Sequence, residues 1–282
     1  NPFQIHYAQE IRMYSLLVFS LIGATWAFWR AYHQDKWYWW VAFMIFSATG
    51  QYSHNLAVFY LVPLALSPLL IREWQIFKKV FIYSLGAIIL YFPWFLTIPS
   101  QFQKISTSYW TTRPPISRLV TTLLSFVTNL PLSGIFLMIG LFITILVFLL
   151  AFWQSLKLIK QKGSGWKRLL WLLYLTFAPV ILLFGFSQWK PIFIERALLP
   201  SGVIFLIWVG SALWETHLPK IVSYLTGILL LAAFSIGIMQ HLTYSGFPYG
   251  PYSRLVNYLS TDLSTKKIIL HSNKLTIFPC VY

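Results

Sequence analysis

The stretch GIFLMIGLFITILVFLLAF, Gly134–Phe152, decides the fold. It carries no charge over about the 18–20 residues needed to cross the hydrocarbon core of a bilayer. Ile221–Ile238 repeats the pattern. In lipid a backbone without a closed barrel satisfies its own hydrogen bonds only as a helix, so such runs predict membrane-spanning helices. Working outward, the spacing predicts eight spans. They are Ile11–Trp29, Trp37–Tyr52, Asn55–Ile71, Val80–Thr97, Leu132–Trp153, Leu169–Phe186, Ala197–Trp214 and Ile221–Gln240. The second and third are short and joined only by Ser53 and His54, which predicts a tight helical hairpin.

Composition agrees with a polytopic membrane protein. Of 282 residues, 58% are hydrophobic and 10% charged. The formal net charge of +15 arises from Lys and Arg clustered in loops between spans, as orientation signals require, and not from a nucleic-acid-binding patch. Aromatic residues at span ends, among them Trp37, Trp39, Trp40, Trp153 and Trp214, read as interfacial belts. A lone cysteine, Cys280, excludes an internal disulfide and a cysteine metal site. No signal peptide, GxxxxGK[ST] loop or GxSxG elbow is present. The chain opens at Asn1 within a loop and stops at Tyr282 within a structured-looking tail, so a fragment of a longer protein is expected.

Loop charges set the orientation. One set of loops holds eleven cations: Arg30, Lys36, Arg72, Lys78, Lys79, Lys157, Lys160, Lys162, Lys167, Arg168 and Lys220. The other set, leaving aside the tail, holds six: Arg12, Lys104, Arg113, Arg118, Lys190 and Arg196. The positive-inside rule places the first set in the cytoplasm. Residues 1–10, the long loop near 98–131, the segment 189–196 and the tail then face outward. Within the long loop, Ile116–Leu130 puts Leu119, Leu123, Phe126 and Val127 on one helical face, predicting an interfacial helix. Residues 1–240 thus form an all-α transmembrane domain. Residues 241–282 read as a small outer α/β segment, with a turn-rich linker at 246–252, a helix at Tyr252–Leu263 and a strand at 266–270.

Only six acids occur. Asp35, Glu73, Glu215 and Asp262 read as solvated charges beside Lys or Arg or on the tail helix. Glu10 and Glu195 stand outside, at the mouths of spans, next to Arg12 and Arg196. Charges at the membrane edge that face a bundle interior are functional candidates; the competing reading is that they anchor helices at the interface. Arg12, Arg113, Lys190 and Arg196 lie on the outer side against the charge rule, and an anionic ligand would explain them, because an arginine fork matches phosphate oxygens bidentately. Tyr14 lies four residues from Glu10. His6, His54 and His271 are scattered, with no zinc spacing among them. A hard divalent cation would want several carboxylates, so no metal ligand is assigned, though a divalent metal stays open.

The opening PFQIHYAQEIRMYSLL (2–17) closely resembles a segment of bacterial polytopic GT-C glycosyltransferases related to the protein O-mannosyltransferases. The resemblance extends to SYWTTRPPI (108–116), QWKPIFIERALLPS (188–201) and KIILHSNK (267–274). It implies a GT-C fold in a bacterial cytoplasmic membrane and transfer of a sugar from a polyprenyl-phosphate carrier to a lipid, glycan or protein acceptor on the outer face. Transfer would proceed with inversion. It implies that the main catalytic acid lies in an outer loop upstream of Asn1, with Glu10 as the candidate within this chain. Arg12 would stand near the carrier phosphate, and Lys190 and Arg196 would be further phosphate contacts. Tyr14, Arg113 and Glu195 complete the candidate binding set. Two other readings remain: a transporter or flippase for a lipid-linked anion, and a non-catalytic scaffold. Transporters show inverted repeats and broken helices at the midplane, whereas the polar groups here gather at the outer rim.

Overall fold

A computed structural model describes residues 1–10, 12–97, 99, 112–163, 165–215 and 218–243, with the Glu215 side chain excepted. The expected α/β tail from 244 onward, Ser108 to Thr111 of the outer loop and the loop residue Lys104 lie outside the described residues. The described residues hold no strand.

Among the described residues ten α-helices follow one another: α1 Pro2–Ala8, α2 Tyr14–Gln34, α3 Trp37–Ser53, α4 Val58–Leu66, α5 Trp74–Phe95, α6 Ser117–Val127, α7 Gly134–Gln161, α8 Trp166–Trp189, α9 Leu199–Glu215 and α10 Lys220–Thr243. Short 3₁₀ turns lead into α4 at Asn55–Ala57 and out of it at Ser67–Ile71; another, Glu195–Leu198, leads into α9. Left-handed residues stop three helices: Asp35 after α2, Arg72 after the second turn and Lys162 after α7.

Among the described residues five helices are long and apolar enough to cross a membrane: α5, α7, α8, the stretch Glu195–Trp214 and α10. At 28 residues α7 measures about 42 Å, longer than the hydrocarbon core. The other three expected spans, α2, α3 and 55–71, are helical but fall outside that group. The 17-residue α3 reaches only about 26 Å, and 3₁₀ turns break the run around α4.

Packing follows the apolar stripes. On α2, Leu17, Leu21, Ala24, Phe28 and Ala31 recur at helical spacing and are buried. The opposite surface leaves Phe19 and Trp26 exposed, and α5 exposes Ile82 and Ile89. Apolar groups on the outside of a helical bundle suit a lipid environment. Inside, the Trp208 indole donates to Ser155 Oγ at 2.9 Å, and Thr25 Oγ1 lies 2.8 Å from the Tyr60 hydroxyl.

The expected hairpin of α3 on α4 is not the main pairing. Helix α3 packs chiefly on α2 and α5, while α4 packs on α8. His54 is the hinge: its extended backbone ends α3, and its Nδ1 accepts from Leu56 N–H at 3.1 Å to cap the next turn. The two helices splay, and the wedge between them stays open. The amphipathic 116–130 segment also differs from a helix resting on lipid. Helix α6 docks into the bundle, with Phe126 buried between Phe3 and Phe205.

Polar contacts separate the two ends. At one end Lys79 pairs with Asp35, at 2.6 Å to Oδ2, and Lys167 with Glu73 at 3.3 Å. At the other end Gln188 donates to Pro114 O, and Arg118 pairs with Glu195. The loops expected inside therefore share one end of the bundle, and those expected outside share the other.

Candidate functional site

The site begins with α1, too short to persist alone. Asn1 caps it by accepting from Phe3 N–H at 2.8 Å, and Pro2 at the first helical position fits where an N–H is not needed. Three tethers hold it across the outer helix ends. Asn1 Nδ2 donates to Phe126 O at 2.8 Å, Gln4 Nε2 donates to Leu199 O at 2.8 Å, and His6 Nδ1 lies 3.1 Å from His241 Nδ1. Beyond α1 the chain turns tightly, with Arg12 N–H on Glu10 O, and enters α2 at Tyr14. This docking delivers Arg12 and Tyr14 to the mouth of a cavity.

The cavity, about 910 Å³, fills the wedge between α3, α4 and α5, with α8 and the segment 192–196 closing it. Most of its wall is apolar, including Phe43, Leu61, Val62, Ile88 and Phe95. Its outer rim is polar: Arg12, Tyr14, His54 and Arg196. The Arg196 guanidinium lies 5.5 Å from the Tyr14 ring centre, a cation–π distance. Arg196 Nε is buried and has no hydrogen-bond partner among the described residues. A buried donor left unpaired costs about 1–3 kcal/mol. The second arginine is anchored differently. Arg12 Nε lies 3.7 Å from Glu10 Oε2, and the side chain is half exposed. Hydrogen bonding to the Tyr14 hydroxyl raises the Arg12 pKa most; burial opposes this and the Glu10 charge supports it.

His54 completes the rim. Burial and, secondarily, the Arg196 charge lower its pKa to about 4, so the ring is neutral near pH 7. Because Nδ1 accepts from Leu56 N–H, the remaining proton belongs on Nε2. The ring is then a donor with its free nitrogen and not a base. Beside it, Gln51 Nε2 donates to Asn55 O at 2.9 Å, and the Tyr91 hydroxyl donates to Asn55 Oδ1 at 2.8 Å.

The structure gathers Arg12, Tyr14 and Arg196 at one rim, although 182 to 184 positions separate Arg196 from the other two in the chain. Glu10 stands behind Arg12, off the cavity wall, with Oε1 3.9 Å from His6 Nε2. Glu195 Oε1 accepts from Arg118 at 2.6 Å and ties α6 to the 3₁₀ turn before α9. Lys190 ends α8 with its ammonium 5.9 Å from the Trp189 ring centre, again off the wall. Arg113 is exposed in the segment leading to α6. Sequence reasoning weighed His54 only as a zinc ligand and left out Gln51, Asn55 and Tyr91. The signal was the polar link Gln51–Asn55 between two apolar runs, which reads as a mere connection until α3 and α4 splay. Among the described residues, no group of three or more His, Cys, Asp or Glu could hold a metal ion.

No protein-family model, curated protein or solved structure matches this chain.

Proposed function

We propose that this chain belongs to a multi-pass membrane glycosyltransferase that takes a sugar from a polyprenyl-phosphate carrier and passes it to an acceptor at the outer face. One observation carries the reading: an apolar cavity open to the bundle wall ends in two arginines and a neutral histidine donor. A lipid phosphate has that shape in reverse. Its isoprenoid tail suits the wall of Phe43, Leu61 and Ile88, and its phosphate suits Arg12, Arg196 and His54 Nε2–H.

The chemistry follows. A carboxylate removes the proton of the acceptor hydroxyl, the acceptor oxygen forms the new bond to the anomeric carbon, and the carbon–oxygen bond to the phosphate breaks. The two guanidiniums stabilise the charge gathering on the departing phosphate, and an unpaired buried Arg196 Nε is poised for an oxygen. Glu10 holds the Arg12 fork from behind, as a positioning residue. The acceptor-side carboxylate is the one the motif resemblance puts upstream of Asn1.

The test uses the intact protein, purified, with a polyprenyl-phosphate sugar as donor. Losing a charge-assisted hydrogen bond costs about 1.5–3 kcal/mol, so Arg12→Ala and Arg196→Ala should each slow transfer roughly 10- to 150-fold. Arg12→Lys, which keeps charge without the fork, should fall between. Wild-type transfer by both alanine variants at equal expression would make the arginines interfacial anchors. Lipid translocation with no transfer to any acceptor class would instead make the protein a transporter.

A further inference from the structure

Arg30 stands one turn before the end of α2, at the basic end of the bundle, about 6 Å along the axis from Gln34. It closes an aromatic seam between α2 and α3. Along that seam Phe19 meets Phe46 with ring centres 5.7 Å apart, and Trp26 meets Trp39 edge to face at 4.8 Å. Phe19 and Trp26 are more than half exposed, so the seam lies on the bundle surface. The Arg30 guanidinium lies 5.1 Å from the Trp39 ring centre and 6.0 Å from that of Trp26, both cation–π distances. The Trp39 indole donates to Gln34 Oε1 at 2.8 Å, which fixes the ring against the helix end. Tyr38 continues the row 5.3 Å from Trp39, with the Lys36 ammonium 5.7 Å from its ring centre.

The acids described at this end leave these two cations uncompensated. Asp35 is engaged by Lys79 and Glu73 by Lys167. Among the described residues neither Arg30 nor Lys36 forms an ion pair, and the buried Arg30 Nε has no hydrogen-bond partner. Ring faces offset part of a guanidinium charge, but its N–H fork matches oxygen acceptors.

We propose that Arg30 holds the phosphate of an anionic phospholipid at the head of this seam, with Lys36 supplying the second charge. Cations beside aromatic rings at headgroup depth match a phosphodiester, and an acyl chain would continue along Trp26 and Phe19. A free inorganic anion would gain nothing from those rings. A zwitterionic lipid would bring its own ammonium toward Lys36. As a plain interfacial anchor Arg30 would need only its charge, and lysine would serve equally. The seam lies at the far end of the bundle from Arg12 and Arg196, so it stands or falls apart from the transferase reading.

The experiment measures lipid binding to the purified, delipidated protein in detergent, by native mass spectrometry. Phosphatidylglycerol, phosphatidylcholine and inorganic phosphate serve as probes. The first phosphatidylglycerol should bind wild type more tightly than phosphatidylcholine, and millimolar phosphate should not displace it. Arg30→Ala loses a charge-assisted hydrogen bond and should weaken phosphatidylglycerol roughly 10- to 150-fold. Arg30→Lys keeps the charge and the fold without the fork and should fall between. Lys36→Ala removes one juxtamembrane cation and should lose about fivefold. Lys157→Ala/Lys160→Ala removes two cations from the same end outside the seam and should change little. Equal affinity for both lipids, wild-type affinity in Arg30→Ala, or an equal loss in the Lys157/Lys160 control overturns the proposal. Wild-type affinity in Arg30→Lys would make Arg30 a plain anchor, and displacement by phosphate would make this a free-anion site; either overturns the lipid assignment.

Discussion

Replacing Gly237 by alanine adds a methyl group where none fits. A Cβ at that position would stand 2.0 Å from the Thr128 carbonyl oxygen and 2.7 Å from Pro2 Cγ. The first neighbour is backbone and cannot swing aside, so α10 must back away by roughly 1 Å or more, and overpacking of this kind costs about 1–3 kcal/mol. Alanine returns about 0.5–1 kcal/mol of helix propensity. For a protein of this size each kcal/mol moves Tm by about 2–4 °C, so the net loss of up to about 2.5 kcal/mol lowers Tm by up to roughly 10 °C. Gly227 on the same helix is the control, because nothing lies within 4 Å of its Cβ position. Gly227→Ala should raise Tm by roughly 1–4 °C from propensity alone. Thermal unfolding of both variants in one detergent at one scan rate measures the pair. Pro2 belongs to α1, which delivers Arg12 to the cavity, so Gly237→Ala should also weaken whatever ligand Arg12 holds. Equal shifts of the same sign for the two variants would refute the claim that α10 meets α1 and the end of α6 at backbone contact.

Further outcomes follow from the same packing. Ser155→Ala leaves the fully buried Trp208 indole N–H without its acceptor and should cost about 1–3 kcal/mol, read as a lowered Tm. His54 has a folded pKa of about 4 against an ordinary 6.5. The unfolded chain therefore binds the proton more readily, and this stability is complete above pH 6.5 and lost as pH falls toward 4, by up to about 1.4 kcal/mol per pH unit. His54→Gln should flatten that acid limb; an unchanged Tm–pH profile between 4 and 6.5 would count against a buried neutral ring. The Arg118–Glu195 pair is partly exposed, so a double-mutant cycle in thermal unfolding should return no more than about 1 kcal/mol despite its 2.6 Å contact. With Cys280 replaced by serine, a cysteine at Arg113 should react with an impermeant reagent added outside, while one at Lys160 should not. The reverse pattern would invert the proposed orientation.

What could be read from the chain depended on the range of the interaction. Helices such as α7 and α10 were legible because an uncharged run of bilayer length has few other solutions. The end-to-end segregation of loops was legible too, since it needs only the alternation of spans, and Asp35–Lys79 and Glu73–Lys167 join loops that fall together in that count. Partner choice was not legible. The two-residue link at Ser53 and His54 suggested that α3 and α4 pack together, as short connections commonly do. Yet the inner side of α3 presents Ser47 and Ala48, both buried and small, and α4 finds a better partner in α8. The result is a cavity where a seam was expected.

That departure explains why the site was half visible. Arg12 and Arg196 could be singled out because each defies the charge rule of its side, a property of one position. His54 could not, because its role depends on the splay it creates: it ends α3, caps the turn into α4, and so holds open the space its own ring then faces. A polar residue in a minimal link between apolar runs is worth weighing as a hinge when a charge stands unexplained elsewhere at the same membrane face. Here the charge is Arg196, which adds to burial in lowering the His54 pKa and whose buried Nε has no hydrogen-bond partner among the described residues. Removing His54 and removing Arg196 should consequently not be additive in ligand affinity, since each shapes the electrostatics of the other. Strict additivity in a double-mutant cycle on polyprenyl-phosphate binding would separate them into independent sites.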